Sequence, residues 1–172
     1  MNCQNLKNNK GFTMVELIIV IAILSFGIIG IYSFSYPASI LTSSFSLRLT
    51  AAYLAQDGLE IINNIRDNNV LSGKNWSGGF NVCDTGCELD YKTGTSVEAA
   101  VNILKKYNNN FLNINADGFY SYDTGSTTKF KRKVTITQPS ANTDILKVDV
   151  LVTWDYNGQS FSFNTIGYIY NY

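Results

Sequence analysis

An apolar run near the start of the chain constrains the fold more than any other feature. Residues 14–34 are almost entirely apolar, and Glu16 is the only ionisable side chain among them. A helix needs about 20 such residues to cross the roughly 30 Å hydrocarbon core of a bilayer. The sequence after this run is polar enough for water. We therefore predict one membrane-spanning helix that carries a water-facing head.

The residues before the apolar run predict its orientation. The segment Met1–Gly11 contains Lys7 and Lys10 and no acidic residue. By the positive-inside rule, this end stays in the cytoplasm and the rest of the chain crosses the membrane. No small-residue cleavage site of the Ala-x-Ala kind follows Tyr32, so a permanent signal anchor is one interpretation.

The residues at the start of the run favour a more specific interpretation. The sequence Gly11-Phe12-Thr13-Met14-Val15-Glu16, directly before an apolar helix, resembles the prepilin processing motif of type IV pilins and type II secretion pseudopilins. The resemblance implies that a prepilin peptidase cuts between Gly11 and Phe12 and that Phe12 is then N-methylated. The mature chain would have 172 − 11 = 161 residues.

Glu16 is a candidate assembly residue. A charged side chain at the centre of a membrane helix costs roughly 2.5–3.5 kcal/mol on insertion scales, and such a residue is a functional hypothesis by default. The simpler alternative is that Glu16 reaches the headgroups near the helix end. The resemblance implies a partner, the α-amino group of Phe12 in a neighbouring subunit. Their pairing would set the register between subunits.

A second helical pattern follows the apolar run. Pro37 is predicted to interrupt the helix, with either a mild bend or a segment that unwinds during assembly as the result. An apolar stripe at helical period comes next. Its members are Ile40, Leu47, Ala51, Leu54, Gly58, Ile61 and Ile65. We predict a helix from Phe12 to Arg66 whose stripe packs on the head, with helix signals fading at residues 67–69.

Three segments of alternating polarity predict an antiparallel meander of strands near residues 130–137, 146–154 and 161–170. Asn157-Gly158 is typical of a two-residue hairpin turn between the last two. The meander has one apolar face, which the amphipathic half of the helix is expected to cover. The predicted fold class is α+β and pilin-like, with a long N-terminal helix packed on a C-terminal antiparallel β-sheet.

The predicted division of the chain follows from these patterns. It consists of a prepilin leader at 1–11, a transmembrane and assembly helix at 12–36, the amphipathic half of the helix at 37–67, and an extracytoplasmic head at 68–172.

Three weaker local patterns lie within the head. Residues 111–122 read as a hairpin with a turn at an Asp-Gly pair. Residues 95–98 have the spacing of a capping box, which predicts a short helix to about Lys106. The polarity of the last strand changes phase near Asn164 and Thr165, which predicts a bulge or a crossing of faces.

The predicted membrane topology decides which cysteines can form a disulfide. Cys83 and Cys87 lie in the extracytoplasmic part, where disulfides persist, and we predict a disulfide between them that staples a loop. A metal pair is the alternative, but no His or further Cys completes a site there. Cys3 belongs to the leader and would leave with it.

A basic run, Lys129 and Lys131-Arg132-Lys133, allows two interpretations. It could contact DNA phosphates, as a pilus for DNA uptake would need. The favoured interpretation is an edge strand whose lysines discourage pairing with other sheets.

Acidic residues of the head give a weak calcium hypothesis. The candidate ligands are Asp84, Glu88 and Asp90, or Asp117 and Asp123. Neither set has the ligand spacing of a defined calcium loop. We therefore predict no metal and no cofactor.

An enzymatic function is not predicted. The chain contains no His, which is the commonest general base and the commonest metal ligand. The acidic residues are scattered, and no nucleotide-binding loop or nucleophile motif is present.

The sequence thus predicts a structural minor pilin or pseudopilin. Its expected partners are the prepilin peptidase, other pilin subunits, the pilus assembly platform and the inner membrane, with nucleic acid as a disfavoured partner. A pseudopilin of type II secretion or DNA uptake is one alternative. A permanently signal-anchored extracytoplasmic binding domain is another.

Overall fold

The computed structural model describes residues 11–94, 104–123, 125–139 and 144–171, without the side chains of residues 36–40. These residues divide into two compact units, one ending at Ser44 and the other beginning at Phe45. One α-helix, α1 (Met14–Leu71), contributes to both units. Its segment Met14–Ser35 is long and apolar enough to cross a membrane, with a mean hydropathy of 2.7.

Helix α1 ends later than the predicted helix. Its backbone stays helical through position 37, so Pro37 does not end the helix, and the mild bend and the unwinding during assembly stay predictions. It also extends past Arg66 to Leu71, where Gly73 takes a φ of 65°. Gly73 N donates to Val70 O and Lys74 N donates to Asn69 O, both at 2.9 Å. This pair of bonds is the Schellman motif, which satisfies the last carbonyls of a helix.

The second unit, which begins at Phe45 and is called the head from here on, contains the sheets. The described strands are β1 (Cys87–Glu88), β2 (Lys105–Lys106), β3 (Asn113–Ile114), β4 (Tyr120–Ser121), β5 (Ser126–Thr127), β6 (Phe130–Thr137), β7 (Ile145–Tyr156) and β8 (Gln159–Tyr170). Five of them form an antiparallel sheet in the order β2-β1-β6-β7-β8, and three form a small sheet in the order β4-β3-β5. The long helix and antiparallel sheet confirm the α+β class.

The predicted meander and hairpin are both present. Strands β6, β7 and β8 pair in sequence. Asn157 and Gly158 have φ values of 51° and 75°, as a type I′ turn requires. Strands β3 and β4 pair with Ile114 opposite Tyr120.

The core lies between the second half of α1 and the inner face of the large sheet. Of the predicted stripe, Ala51, Leu54, Ile61 and Ile65 are buried. Two further residues of α1, Ala55 and Ile62, are fully buried although the stripe did not include them. From the sheet, Val134, Val148, Val150 and Val152 join the same cluster. Burial of this apolar surface stabilises the head by roughly 25 cal/mol per Å².

Gly58 allows α1 to approach the sheet closely. A Cβ atom at this position would lie 3.0 Å from Val150 Cγ1 and 3.3 Å from Arg132 Cδ. Glycine in a helix costs about 1 kcal/mol relative to alanine. The close contact with β7 offsets this cost and explains the glycine.

The edge-strand interpretation of the basic run is wrong. Strand β6 is not an edge, because it pairs with β7 along its length and with β1 at Val134.

For β8, the structure selects one of the two predicted alternatives. The strand has no bulge, because its register with β7 is constant from Gln159 to Tyr170. The apolar pattern instead crosses to the outer face, where Ile166 is 49% and Tyr168 is 52% exposed.

The short helix predicted after the capping box is wrong at its described end. Lys105–Lys106 forms strand β2, which pairs with β1. The capping box itself, at residues 95–98, lies outside the described residues.

Candidate processing and assembly site

The predicted cleavage site lies just outside α1. The helix begins at Met14, so Gly11 and Phe12 precede it, and Phe12 is 80% exposed. Glu16 N donates to Thr13 Oγ1 at 3.2 Å, and Leu17 N donates to Thr13 O at 3.1 Å. Thr13 is therefore the N-cap, because its side chain satisfies an otherwise unpaired N–H of the first turn.

This start lies two residues after the predicted one at Phe12. The Gly11–Phe12 bond therefore lies in non-helical backbone, one residue before the N-cap. Sequence reasoning missed the cap. The signal was present, since Thr13-Met14-Val15-Glu16 has the spacing of a capping box.

Glu16 lies in the first turn of α1 and is exposed. The N-terminal end of a helix carries partial positive charge, and an acid there stabilises the helix by roughly 0.3–1 kcal/mol. This local interaction gives Glu16 a role in helix formation that does not depend on a partner. Its carboxylate remains accessible to a cation from outside the chain.

The apolar segment Met14–Ser35 has no burial within the chain. Exposed apolar patches on water-soluble monomers rarely exceed a few hundred Å², so a helix that is apolar on all sides requires a cover. Lipid or the helices of other subunits would provide one. The segment is therefore a candidate single-pass membrane anchor.

Cys83 and Cys87 are joined by a disulfide with an S–S distance of 2.00 Å. Both residues are fully buried. Cys83 ends a 3₁₀ helix (Phe80–Cys83), and Cys87 begins β1 and pairs with Val134. The disulfide therefore ties a loop of the head to the large sheet.

The acidic residues do not gather into a metal site. Among the described residues, no group of three or more His, Cys, Asp or Glu side chains could hold an ion. Glu88 instead accepts hydrogen bonds from Asn108 N and from the N and Nδ2 atoms of Asn110. These donors occupy its carboxylate and fix a loop.

Asp90 and Asp123 have similar local partners. Asp90 accepts from the backbone N atoms of Lys92 and Tyr122 and from the hydroxyl of Thr93. Asp123 pairs with Lys92 at 2.7 Å, and this hydrogen bond holds the pKa of the Asp123 carboxyl below its usual value. Glu88, Asp90 and Asp123 line one cavity of about 110 Å³ together with Lys92 and Lys105. Their protein partners nevertheless leave no group of three ligands in the described part of the chain that could hold an ion.

The basic run does not form a continuous charged surface. Arg132 is fully buried and donates from Nη1 to Leu54 O at 2.8 Å and to Asp57 Oδ2 at 2.6 Å. Its Nη2 donates to Leu89 O at 2.6 Å. Lys131 lies on the opposite face of β6, 4.4 Å from the centroid of the Phe111 ring. The arginine thus links α1, the loop after β1 and the sheet.

A cavity of about 340 Å³ opens on the head beside the second half of α1. Its lining residues are Thr50, Tyr53, Leu54, Asp57, Tyr91, Gly118, Phe119 and Tyr120. The Tyr91 and Phe119 rings stack with centroids 5.0 Å apart. Asp57 supplies the one charged group of this lining, and it is already paired with Arg132.

The comparison with known families identifies the N-terminal segment. Residues 6–32 match the family described as "Prokaryotic N-terminal methylation motif". This motif is the type IV prepilin signature, and it covers the cleavage candidates, Glu16 and most of the apolar segment. It supports a type IV pilin-like prepilin subunit. No curated protein and no solved structure matches the chain significantly.

Proposed function

We propose that the chain is a structural, non-enzymatic subunit of a type IV pilus-like filament, either a minor pilin or a pseudopilin. The observation that carries this proposal is the prepilin methylation motif at residues 6–32, which includes most of the unburied apolar segment Met14–Ser35. Proteins of this type are structural rather than catalytic. The filament could serve adhesion, type II secretion or DNA uptake.

Processing would begin on the cytoplasmic side of the membrane. A prepilin peptidase hydrolyses the Gly11–Phe12 bond with one water molecule, which leaves the leader with the Gly11 carboxylate and frees the α-amino group of Phe12. A sulfonium-type methyl donor would then transfer its methyl group to that nitrogen, which releases a proton and the thioether. The position of the bond outside α1 supports this step, because a peptidase needs access to both sides of the scissile amide. Thr13 keeps the helix from extending over it.

The freed amine would then pair with Glu16 of a neighbouring subunit. In an apolar surrounding, an ion pair is strong and an unpaired carboxylate is costly. The amine at Phe12 exists only after cleavage, so processing would license assembly. The interaction also sets the axial register of the subunits, since one amine meets one carboxylate.

The remaining chain would lie outside the inner membrane. The lysines of the leader favour a cytoplasmic N-terminus. The Cys83–Cys87 disulfide agrees with an oxidising compartment for the head. Other pilin subunits and the assembly platform would then draw the helix from the bilayer into the filament.

The intact mass of the mature protein tests the proposal. Full-length protein expressed with a prepilin peptidase should yield a chain of 161 residues that begins at methylated Phe12 (172 − 11 = 161). A chain that retains Met1–Gly11 under these conditions would favour a permanently anchored binding domain. Full-length protein expressed without the peptidase is the control.

Substitutions at Glu16 test the assembly step. We expect Glu16→Ala to be cleaved normally and to fall at least tenfold in the filament fraction, because the partner amine loses its carboxylate. Glu16→Asp is the matched control and should retain part of the incorporation. Processing is read by mass and incorporation by immunoblotting of sheared filaments. Equal incorporation of Glu16→Ala and wild type would refute the role of Glu16.

A further inference from the structure

The two described edge strands of the large sheet differ in how they are protected from pairing with other chains. One edge strand, β2, has two residues, Lys105 and Lys106, and both are exposed. The other edge strand, β8, extends from Gln159 to Tyr170 and contains no charged residue and no proline. Natural edge strands are usually short, charged, bulged or covered, because open edges pair with other chains. Strand β2 follows this rule and β8 does not.

The open side of β8 presents a defined set of backbone groups. In an antiparallel pair, alternate residues bond to the neighbouring strand and the others point away. Asn171 N donates to Asp144 O, so the backbone groups of the odd-numbered residues of β8 face β7. The N–H and C=O groups of the even-numbered residues therefore point away from β7. These residues are Ser160, Ser162, Asn164, Ile166, Tyr168 and Tyr170.

Part of this side is already occupied within the chain. Tyr170 O accepts a hydrogen bond from Arg66 Nη1 at 3.3 Å. Among the described residues, no strand pairs with the stretch from Ser160 to Tyr168 on this side. We call the outward N–H and C=O groups of Ser160–Tyr168 the open edge.

The side chains along the open edge restrict the partner. Ser160, Ser162 and Asn164 are small and polar, whereas Ile166 and Tyr168 are apolar and about half exposed. Cross-strand pairs of apolar or aromatic residues contribute roughly 0.2–1 kcal/mol each. A strand that fits would thus carry small polar residues opposite Ser160, Ser162 and Asn164, and apolar residues opposite Ile166 and Tyr168. It would also lack charged side chains, since the open edge has no charged side chain to pair with them.

A second copy of this chain fits the open edge poorly. Two β8 strands that pair symmetrically run antiparallel about a two-fold axis normal to the sheet. That axis would reverse the direction of residues 45–71 of α1, to which the membrane segment is attached in sequence. A copy in the same orientation would offer β2, which is two residues long and carries two lysines.

We propose that β8 is an assembly edge that takes up one extended, uncharged strand from a neighbouring subunit of different sequence. The identification of the partner as a filament subunit rests on the proposed function. The added strand continues the large sheet, with backbone hydrogen bonds providing the attachment and the alternating side chains the selectivity.

Proline substitution tests the backbone bonds directly. Asn164→Pro removes one outward N–H and leaves the β7 ladder intact, which is the arrangement in which strands tolerate proline. Asn164→Ala keeps the N–H and is the matched control. In cells that assemble the filament, we expect Asn164→Pro to fall at least tenfold in the filament fraction, whereas Asn164→Ala stays within twofold of wild type.

A charge variant covers the case in which proline disturbs the head. Asn164→Lys keeps the backbone donor and places a charge in the middle of the open edge, and it should also fall at least tenfold. Gln159→Lys adds the same charge outside the open edge and should assemble normally. Protease resistance of the head, compared with wild type, reports whether each full-length variant is folded.

The outcomes separate this inference from the proposed function. Cleavage before Phe12 with normal incorporation of both Asn164→Pro and Asn164→Lys would overturn the assembly edge and leave the pilin assignment standing. Failure of the wild-type chain to be processed or incorporated would overturn both. A disulfide between two copies of Asn164→Cys, in a Cys3→Ser background in membranes, would show self-pairing and contradict the assignment of a different subunit.

Discussion

The two halves of helix α1 are built from similar apolar residues but differ in what covers them. In the segment up to Ser35, side chains such as Leu24 are exposed, in this case by 59%. After Phe45, the apolar stripe is buried against the chain's own sheet, and Leu54 is only 4% exposed. The second half thus has its partner within the chain, whereas the first half requires a partner outside it.

This difference separates folding from assembly along a single element. A substitution in the second half should change the stability of the head, because the lost contacts belong to its core. A substitution in the first half should leave the head folded and change membrane insertion or filament formation. Each prediction below tests one side of this separation.

The largest effect is expected for Leu54→Asp. It places a carboxylate between α1 and the sheet, where burial without a partner costs several kcal/mol. Losing the leucine contacts adds about 2–5 kcal/mol. Because a domain is stable by only about 5–15 kcal/mol, we expect the head to unfold. Loss of protease resistance and of accumulation in membranes measures this outcome.

The same substitution in the first half sharpens the comparison. Leu24→Asp should leave the head as protease-resistant as wild type. It should reduce membrane retention, because a carboxylate near the middle of the span costs roughly 2.5–3.5 kcal/mol. A folded head in Leu54→Asp, or an unfolded one in Leu24→Asp, would break the separation.

The features that sequence could predict are those that local pattern determines. The apolar run, the meander and the Asn157-Gly158 turn all follow from periodicity or turn chemistry. The capping box at Thr13 and the helix-ending Gly73 are equally local, so the helix ends were predictable in principle. Strands β1 and β2 were not, because each has two residues and forms only through non-local pairing.

Arg132 shows a different limit. Its position in β6 has the same parity as Phe130 and Val134, which predicts an inward side chain. The edge-strand interpretation instead relied on the charge of Arg132 and of the neighbouring lysines, and so it did not use the alternation of the strand. Burial of the guanidinium depends on two carbonyls and one carboxylate that come from distant parts of the chain. No local pattern could assemble these acceptors.

Arg132→Met is expected to have the second largest effect. It removes the guanidinium donors from Leu54 O and Leu89 O, of which Leu54 O keeps its helical hydrogen bond within α1, and it leaves Asp57 unpaired. Because Asp57 is 43% exposed, water compensates for part of the loss, and we expect a destabilisation of about 2–4 kcal/mol. Urea-dependent proteolysis of the full-length protein measures it.

The adjacent position supplies the control. Lys131→Met changes the same strand on its outer face and removes only the contact with the Phe111 ring, which is worth about 0.5–1 kcal/mol. Equal losses of stability in the two variants would mean that the Arg132 network does not hold α1 to the sheet.

The smallest effect concerns Tyr122, whose hydroxyl donates to Arg132 O at 3.1 Å and so supports the same contact layer. Burial raises the pKa of the Tyr122 phenol above its ordinary value of about 10. The folded head therefore holds this proton more tightly than the unfolded chain does. Its contribution to stability is fully present below pH about 10 and is lost as the pH rises through the folded pKa.

Replacing Tyr122 by Phe separates the hydrogen bond from the ionisation. At pH 7.5 we expect a loss of about 1 kcal/mol from the missing hydrogen bond. Above pH 10 the variant should lose stability less steeply than wild type, by at most about 1.4 kcal/mol per pH unit. Urea-dependent proteolysis at pH 7.5 and 10.5 measures both effects, with Tyr168→Phe as an exposed control. If the free energy of unfolding falls by the same amount between these pH values in Tyr122→Phe and in wild type, the buried phenol does not contribute to the pH dependence of the head's stability.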